Sequence, residues 1–278
     1  MAANRDLFEI KFWGTRGTLP VFGDAYANTG GHTNCIELTC GSETIILDAG
    51  TGLRHLGPKL VAEKKNRAHL LLTHAHYDHV EGIPFFDLMF NEEASIDVYC
   101  GPLDGASGGK DVFEKFMSRP LFPVTPDIFC AEINYLDLVQ SQSFTIGSDI
   151  EVQTVALSHP GGATGYRVNY KSKSFACITD TEHNVGAHDE AIMKLIDGVD
   201  MFVYDCSHTD EEFEQFIGFG HSTIEEGARL CKLANAGALK AFHHIPQRTD
   251  AELAVSEKII QEINPKNSIA REGEVVEL

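Results

Sequence analysis

The stretch Thr73-His74-Ala75-His76-Tyr77-Asp78-His79 restricts what this chain can fold into more than any other part of it. Residues 70–72 are three leucines, an unbroken apolar run that reads as a buried strand ending at Thr73. The histidines therefore sit on the loop that leaves a sheet edge. In a turning loop, His74 and His76 face one way while Asp78 and His79 reach the other, which divides four ligands between two adjacent ions. Imidazoles with a hard carboxylate suit zinc best, with manganese or iron as alternatives. A solvated loop that gathers three histidines and an aspartate within six positions by chance is a poor competitor for so dense a spacing.

A two-metal site needs further ligands. His159 follows a strand-like run at 152–157 and Asp180 follows another at 174–178, each where strand gives way to a loop of small residues. His243 and His244 follow residues 239–242, which read as an apolar turn, and they supply the last candidates. Further runs of strand character lie at 9–13, 34–39, 43–47, 69–72, 96–99, 151–157, 166–169 and 201–204. Helical spacing appears at 53–64, 187–195, 223–235 and 250–263. The expected class is α/β, with two mixed sheets packed face to face and helices outside. At 278 residues the chain, 1–278, is expected to form one domain with a well-buried core. Gly and Pro crowd the ends of segment 101–126 around a short amphipathic piece at 112–117, so this excursion reads as a lid, a dimer contact or an ordinary surface loop.

Charge limits the partners. Against 41 acidic residues stand 22 basic ones, a formal charge of −19, and no Lys/Arg cluster supplies the stripe that long nucleic acids need. A small anion drawn to a bound metal is the expected ligand. The seven cysteines are scattered singly and read as buried, reduced thiols. Residues 1–12 carry no apolar leader and no stretch approaches a membrane span, so a cytoplasmic location with no membrane partner is expected.

The order H-x-H-x-D-H, then His159, Asp180 and His244, resembles the metallo-β-lactamase superfamily over nearly the whole chain. Gly220-His221-Ser222-Thr223 and His244-Ile245-Pro246-Gln247-Arg248 look like the G-H-S-T and H-x-x-x-R signatures of its ribonuclease Z and cyclic-phosphodiesterase branch. The resemblance implies an αββα sandwich and two zinc ions. His74, His76 and His159 would hold one ion, Asp78, His79 and His244 the other, and Asp180 would bridge them. His243 is then structural or sits behind the ligands. Homodimers are common in such families, and one is expected here.

Most two-zinc lactamases of this family have a cysteine where Asp180 stands, and thioesterases of the glyoxalase II type are not expected to carry the G-H-S-T element. A carboxylate shared between two ions suits attack on phosphorus by a shared hydroxide. An alkoxide leaves poorly unless protonated, and His221 is the candidate acid. Asp205 stands roughly where the ribonuclease Z branch has a glutamate and is the candidate partner that orients His221. Asp78, His221 and Asp205 are thus the expected catalytic residues. Ser222 as a simple helix cap is the competing reading of that element. Arg16 and Arg167, in motifs similar to those of an uncharacterised bacterial hydrolase subfamily, read either as phosphate clamps or as structural arginines. His183 faces the substrate or is a rim histidine, and His32 stands where that subfamily has asparagine.

Ribonuclease Z enzymes grip transfer RNA with an arm inserted between the third-motif histidine and the bridging aspartate. Here His159 and Asp180 lie 21 positions apart, which leaves no room for it. The expected function is hydrolysis of a small phosphodiester, a cyclic nucleotide before a cyclic ribose phosphate, with ribonuclease Z-like RNA processing as the alternative and a non-enzymatic metal-site sensor as a distant third. Phe113, Phe116, Phe122 and Phe129, in or beside the excursion, either offer an aromatic surface for a base or pack in the core.

Overall fold

The computed structural model describes residues 7–139 and 141–278. Residues 1–6 of the stretch read above as lacking an apolar leader lie outside the described residues. In chain order the first half contains β1 (Phe8–Gly14), β2 (Cys35–Cys40), β3 (Glu43–Leu47), α1 (Leu53–Ala62), β4 (Arg67–Leu72), α2 (Tyr77–Val80), β5 (Ser95–Cys100), α3 (Gly109–Phe116) and β6 (Glu132–Asp137). The second half contains β7 (Ser143–Ile146), β8 (Ile150–Leu157), β9 (Ala163–Tyr170), β10 (Lys173–Ile178), α4 (Glu190–Ile196), β11 (Met201–Asp205), α5 (Asp210–Phe213), α6 (Ile224–Leu233), β12 (Leu239–Phe242), α7 (Asp250–Ile263), β13 (Ser268–Ile269) and β14 (Val275–Glu277).

Two seven-stranded sheets result, ordered β14-β1-β2-β3-β4-β5-β6 and β13-β12-β11-β10-β9-β8-β7. Both are mixed: β3 to β6 run parallel to one another, as do β10 to β13, and the remaining pairs are antiparallel. The period-two alternation assigns each strand its two faces. Leu71 of β4 joins Phe12, Ile36, Phe175 and Cys177 between the sheets, whereas Leu70 and Leu72 pack outward with Leu53, Leu56 and Leu60 of α1. Ala176 and Ile178 of β10 pack on the other outer side with Ile192, Leu230 and Ile260 of α4, α6 and α7. The three leucines are 0% exposed, and burying each stabilises the fold by about 1.5–3 kcal/mol. The αββα sandwich expected from the sequence is therefore the observed one.

The 239–242 segment, expected to be a turn, is the fully buried strand β12. Four residues are too few to show a period, and burial here comes from its parallel neighbours β11 and β13. The edge strands β6 and β7 mix polar with apolar residues and are only partly buried, and so escape notice in the sequence. Six of the seven cysteines are buried thiols, but Cys130 is exposed. No helix among the described residues is long and apolar enough to cross a membrane.

Candidate metal centre

Several strands deliver their last side chains to one place. Asp48 directly after β3, Asp180 just past β10 and His243 directly after β12 all have positive φ, of 61°, 58° and 59°. Left-handed backbone at a non-glycine residue costs on the order of 1–3 kcal/mol. Spending it at three converging strand ends turns those side chains out of the pleat and into the space between the loops.

One group there is made of imidazoles alone. His74 Nε2 is buried and has no hydrogen-bond partner. The Nδ1 of His159 donates to Gly220 O at 2.7 Å, which leaves its Nε2 as a lone pair, 3.0 Å from His76 Nδ1. Three imidazoles whose ring nitrogens converge fit one metal ion, and burial holds His74 well below the ordinary histidine range, in the neutral form that ligates.

The second group comprises Asp78, His79, Asp180 and His243. His79 Nδ1 donates to Asp48 Oδ2 at 2.8 Å, so its Nε2 carries the lone pair and faces Asp78 Oδ2 and Asp180 Oδ1, both at 3.3 Å; the Asn34 side-chain amide donates to the same nitrogen at 2.7 Å. His243 Nε2 lies 3.2 Å from Asp180 Oδ2 and 3.3 Å from Asp78 Oδ2. Although burial raises the Asp78 carboxyl, the facing His79 and His243 outweigh it and hold the group ionised. Asp180 Oδ2 also lies 3.7 Å from His74 Nε2 and 3.8 Å from His159 Nε2, so one carboxylate reaches both groups. Hard carboxylates alternating with imidazoles suit a pair of divalent ions.

The seventh member is His243 and not His244. Once His243 takes its left-handed turn, the chain proceeds in the opposite sense: His244 N donates to Thr15 O at 3.1 Å and its ring Nε2 meets Ala270 O at 3.1 Å, away from the cluster. The pairing expected for the candidate acid is present. His221 Nδ1 lies 2.8 Å from Asp205 Oδ2; burial alone would lower the imidazole, but Asp205 outweighs it and raises His221 above the ordinary histidine range. Thr223, rather than Ser222, caps α6 by accepting from Glu226 N.

The arginines are not clamps. Arg16 is fully buried, with Nε donating to Gly30 O at 2.8 Å and its two terminal nitrogens to Arg248 O at 2.7 Å and Thr29 Oγ1 at 2.5 Å. That fork is spent on fastening the loops beneath His243. Arg167 donates to Asn169 Oδ1 and, at 3.0 and 2.9 Å, to Leu195 O and Asp197 O at the end of α4, so it caps a helix on the outer side of its sheet. His183 stacks on Phe213 and bonds Ser222 Oγ at 2.7 Å, facing a separate hollow bounded by His188, Asp210 and Arg229. His32 pairs with Thr51 and His55.

Above the cluster opens a cavity of about 690 Å³, and segment 101–126 forms one of its walls through Leu103, Val112, Lys115, Phe116 and Leu121. Of the four phenylalanines, only Phe116 lines it, beside Tyr77; Phe113 is buried core and Phe129 packs on Phe90 and Phe113.

Residues 43–245, from β3 past His243, match the family described as "Beta-lactamase superfamily domain". The chain belongs to that family. It is 24% identical over 301 aligned positions to a ribonuclease Z of Bradyrhizobium sp. (strain ORS 278), covering 91% of this chain and 95% of that one. Among solved structures, the metallo-β-lactamase fold protein YhfI from Bacillus subtilis superimposes with a TM-score of 0.75 at 18% identity, covering 98% of this chain and 100% of its own. Human short-form tRNase Z gives 0.66 at 19% identity, covering 96% of this chain and 98% of its own. A diphosphatase of the PhnP family gives 0.72 at 14% identity, covering 98% of each. The fold is that of metallo-hydrolases of the ribonuclease Z and PhnP type, and a divalent-metal site belongs to it.

Within this family site, sequence reasoning passed over Asp48. The signal was present: like Thr73, Asp48 is the first polar residue after a fully apolar strand end, here residues 45–47. Its Oδ1 accepts from Thr73 N at 2.7 Å, so one carboxylate fixes both the His79 ring and the start of the histidine loop.

Proposed function

We propose that this protein is a dinuclear zinc-dependent phosphodiesterase that hydrolyses a small phosphodiester, a cyclic nucleotide before other candidates. The observation that carries the reading is the His221–Asp205 pair at 2.8 Å beside the cluster, because a proton donor is needed for a poor alkoxide leaving group and is superfluous in a closed structural metal site. Divalent ions bound here supply Lewis acidity to phosphoryl oxygens and a nucleophile drawn from water. Asp205 holds the Nδ1 proton of His221, which leaves Nε2 to deliver a proton towards the cavity that His221 lines. The wall of Phe116, Tyr77 and Leu121 gives that side an apolar and aromatic surface that suits a base.

A small substrate is favoured by the short β9–β10 hairpin that fills the interval between His159 and Asp180, and by the net charge of −19. The test is turnover by metal-replete protein of bis(p-nitrophenyl) phosphate, cyclic mononucleotides and cyclic ribose phosphate, with zinc and with manganese. Hydrolysis of a cyclic nucleotide is the expected result, and failure on all of them would sink the reading. The similarity to a ribonuclease Z favours one second reading, RNA processing, for which precursor-RNA cleavage with a steep salt dependence is the signature.

A further inference from the structure

Ser207, which lies two residues beyond Asp205 and past the end of β11, is fully buried between the two functional groups of the centre. Its Oγ lies 2.6 Å from Asp205 Oδ1, 2.9 Å from His243 Nδ1 and 3.2 Å from His243 O, and its backbone N donates to Asp205 Oδ1 at 3.1 Å. A hydroxyl has one proton. Asp205 Oδ1 and His243 O can only accept, and the carboxylate is the nearer and the charged one, so the proton goes to Asp205. The Oγ is then an acceptor towards His243, whose Nδ1 must carry a hydrogen. In the neutral ring that can ligate a metal, Nε2 then carries the lone pair, and it is the atom that faces Asp78 and Asp180.

We propose that Ser207 is a positioning residue that fixes the ligating tautomer of His243 and ties that ring to the same carboxylate that orients His221. The bonds run from His243 Nδ1–H to Ser207 Oγ–H to Asp205, whose other oxygen accepts from His221 Nδ1. The ring is also confined from behind and alongside. A Cβ on Gly17 would fall on the His243 imidazole, so only glycine fits there, and His221 stacks on the same ring at 4.8 Å between centroids. With translation blocked by Gly17, the tautomer and tilt of the ring depend on its Nδ1 partner. This inference rests on the metal cluster alone and holds whichever ester the enzyme cleaves.

The test is metal affinity, read by competition with a chromophoric chelator, for wild type, Ser207→Ala, Ser207→Cys and Ser207→Thr. Loss of a hydrogen bond behind a ligating histidine typically costs 10–100-fold in affinity. The expected result is a loss of that size for one of the two ions in Ser207→Ala and Ser207→Cys, with the other ion unaffected and Ser207→Thr restoring much of the loss. A residue that served only to fill space would weaken both ions together or neither, and the near-isosteric cysteine would then behave as wild type; either pattern overturns the proposal. Nitrogen-15 NMR of zinc-loaded wild type needs no variant to fold: His243 must show a protonated Nδ1 and a metal-bound Nε2, and the reverse assignment would also overturn it.

Discussion

Asp48 accepts the Nδ1 proton of His79 at 2.8 Å, while its other oxygen takes Thr73 N at 2.7 Å. One buried carboxylate therefore sets both the tautomer of a ligand and the point at which the histidine loop leaves β4. Replacing it with asparagine keeps the shape but leaves one neutral acceptor oxygen for two donors, so an amide NH2 must face either the His79 N–H or the Thr73 N–H. Asp48→Asn is expected to weaken metal binding about 10–100-fold, which titration calorimetry against a competing chelator will measure. Wild-type affinity in a folded variant would remove Asp48 from the site.

The neighbouring histidines separate by role. His243→Ala should leave the protein with about one metal equivalent per chain in elemental analysis. His244→Ala should retain two and lose about 1–3 kcal/mol of stability, because its ring bonds Ala270 O in a fully buried position. Equal metal content in the two variants would contradict the geometry.

If His221 protonates the leaving group, its importance must scale with how poor that group is. His221→Ala is expected to slow cleavage of an alkyl or cyclic nucleotide ester by about 10²–10⁴-fold, and that of a p-nitrophenyl ester far less, since p-nitrophenolate departs unaided. Asp205→Asn should follow the same pattern with a smaller loss. A uniform loss across esters, seen in steady-state kinetics, would instead assign the pair to metal binding.

His69 offers a pH test remote from the cluster. It is buried in β4 and its pKa is lowered by desolvation, against the opposing pull of Glu43 and Asp97. The folded protein thus takes up this proton at lower pH than the unfolded chain does. The stability that follows is present above the unfolded pKa of 6.5 and is lost as pH falls from there towards the folded pKa. His69→Gln should remove that component, so the difference in denaturant stability between wild type and variant shifts against wild type from about pH 7 to pH 5. A pH-independent difference would show that His69 is not the titrating group.

The sequence by itself determined the sandwich and most of the centre. Leu70, Leu71 and Leu72 could only form a doubly covered strand, and the density of ligands in residues 74–79 identified the loop beyond it. His159, Asp180, Asp205 and His221 were legible because each follows or adjoins a recognisable element. What the tertiary structure decided was direction. His243 and His244 are equivalent as sequence, and only the positive φ of His243, backed by Gly17 and Ser207 from distant segments, aims one ring inward and the other at Ala270. Arg16 and Arg167 carry the right chemistry for phosphate, yet their donors are consumed by carbonyls of Gly30, Arg248, Leu195 and Asp197 that the chain brings alongside only on folding. A side chain's chemistry is local, but its free valences depend on what long-range packing leaves unpaired.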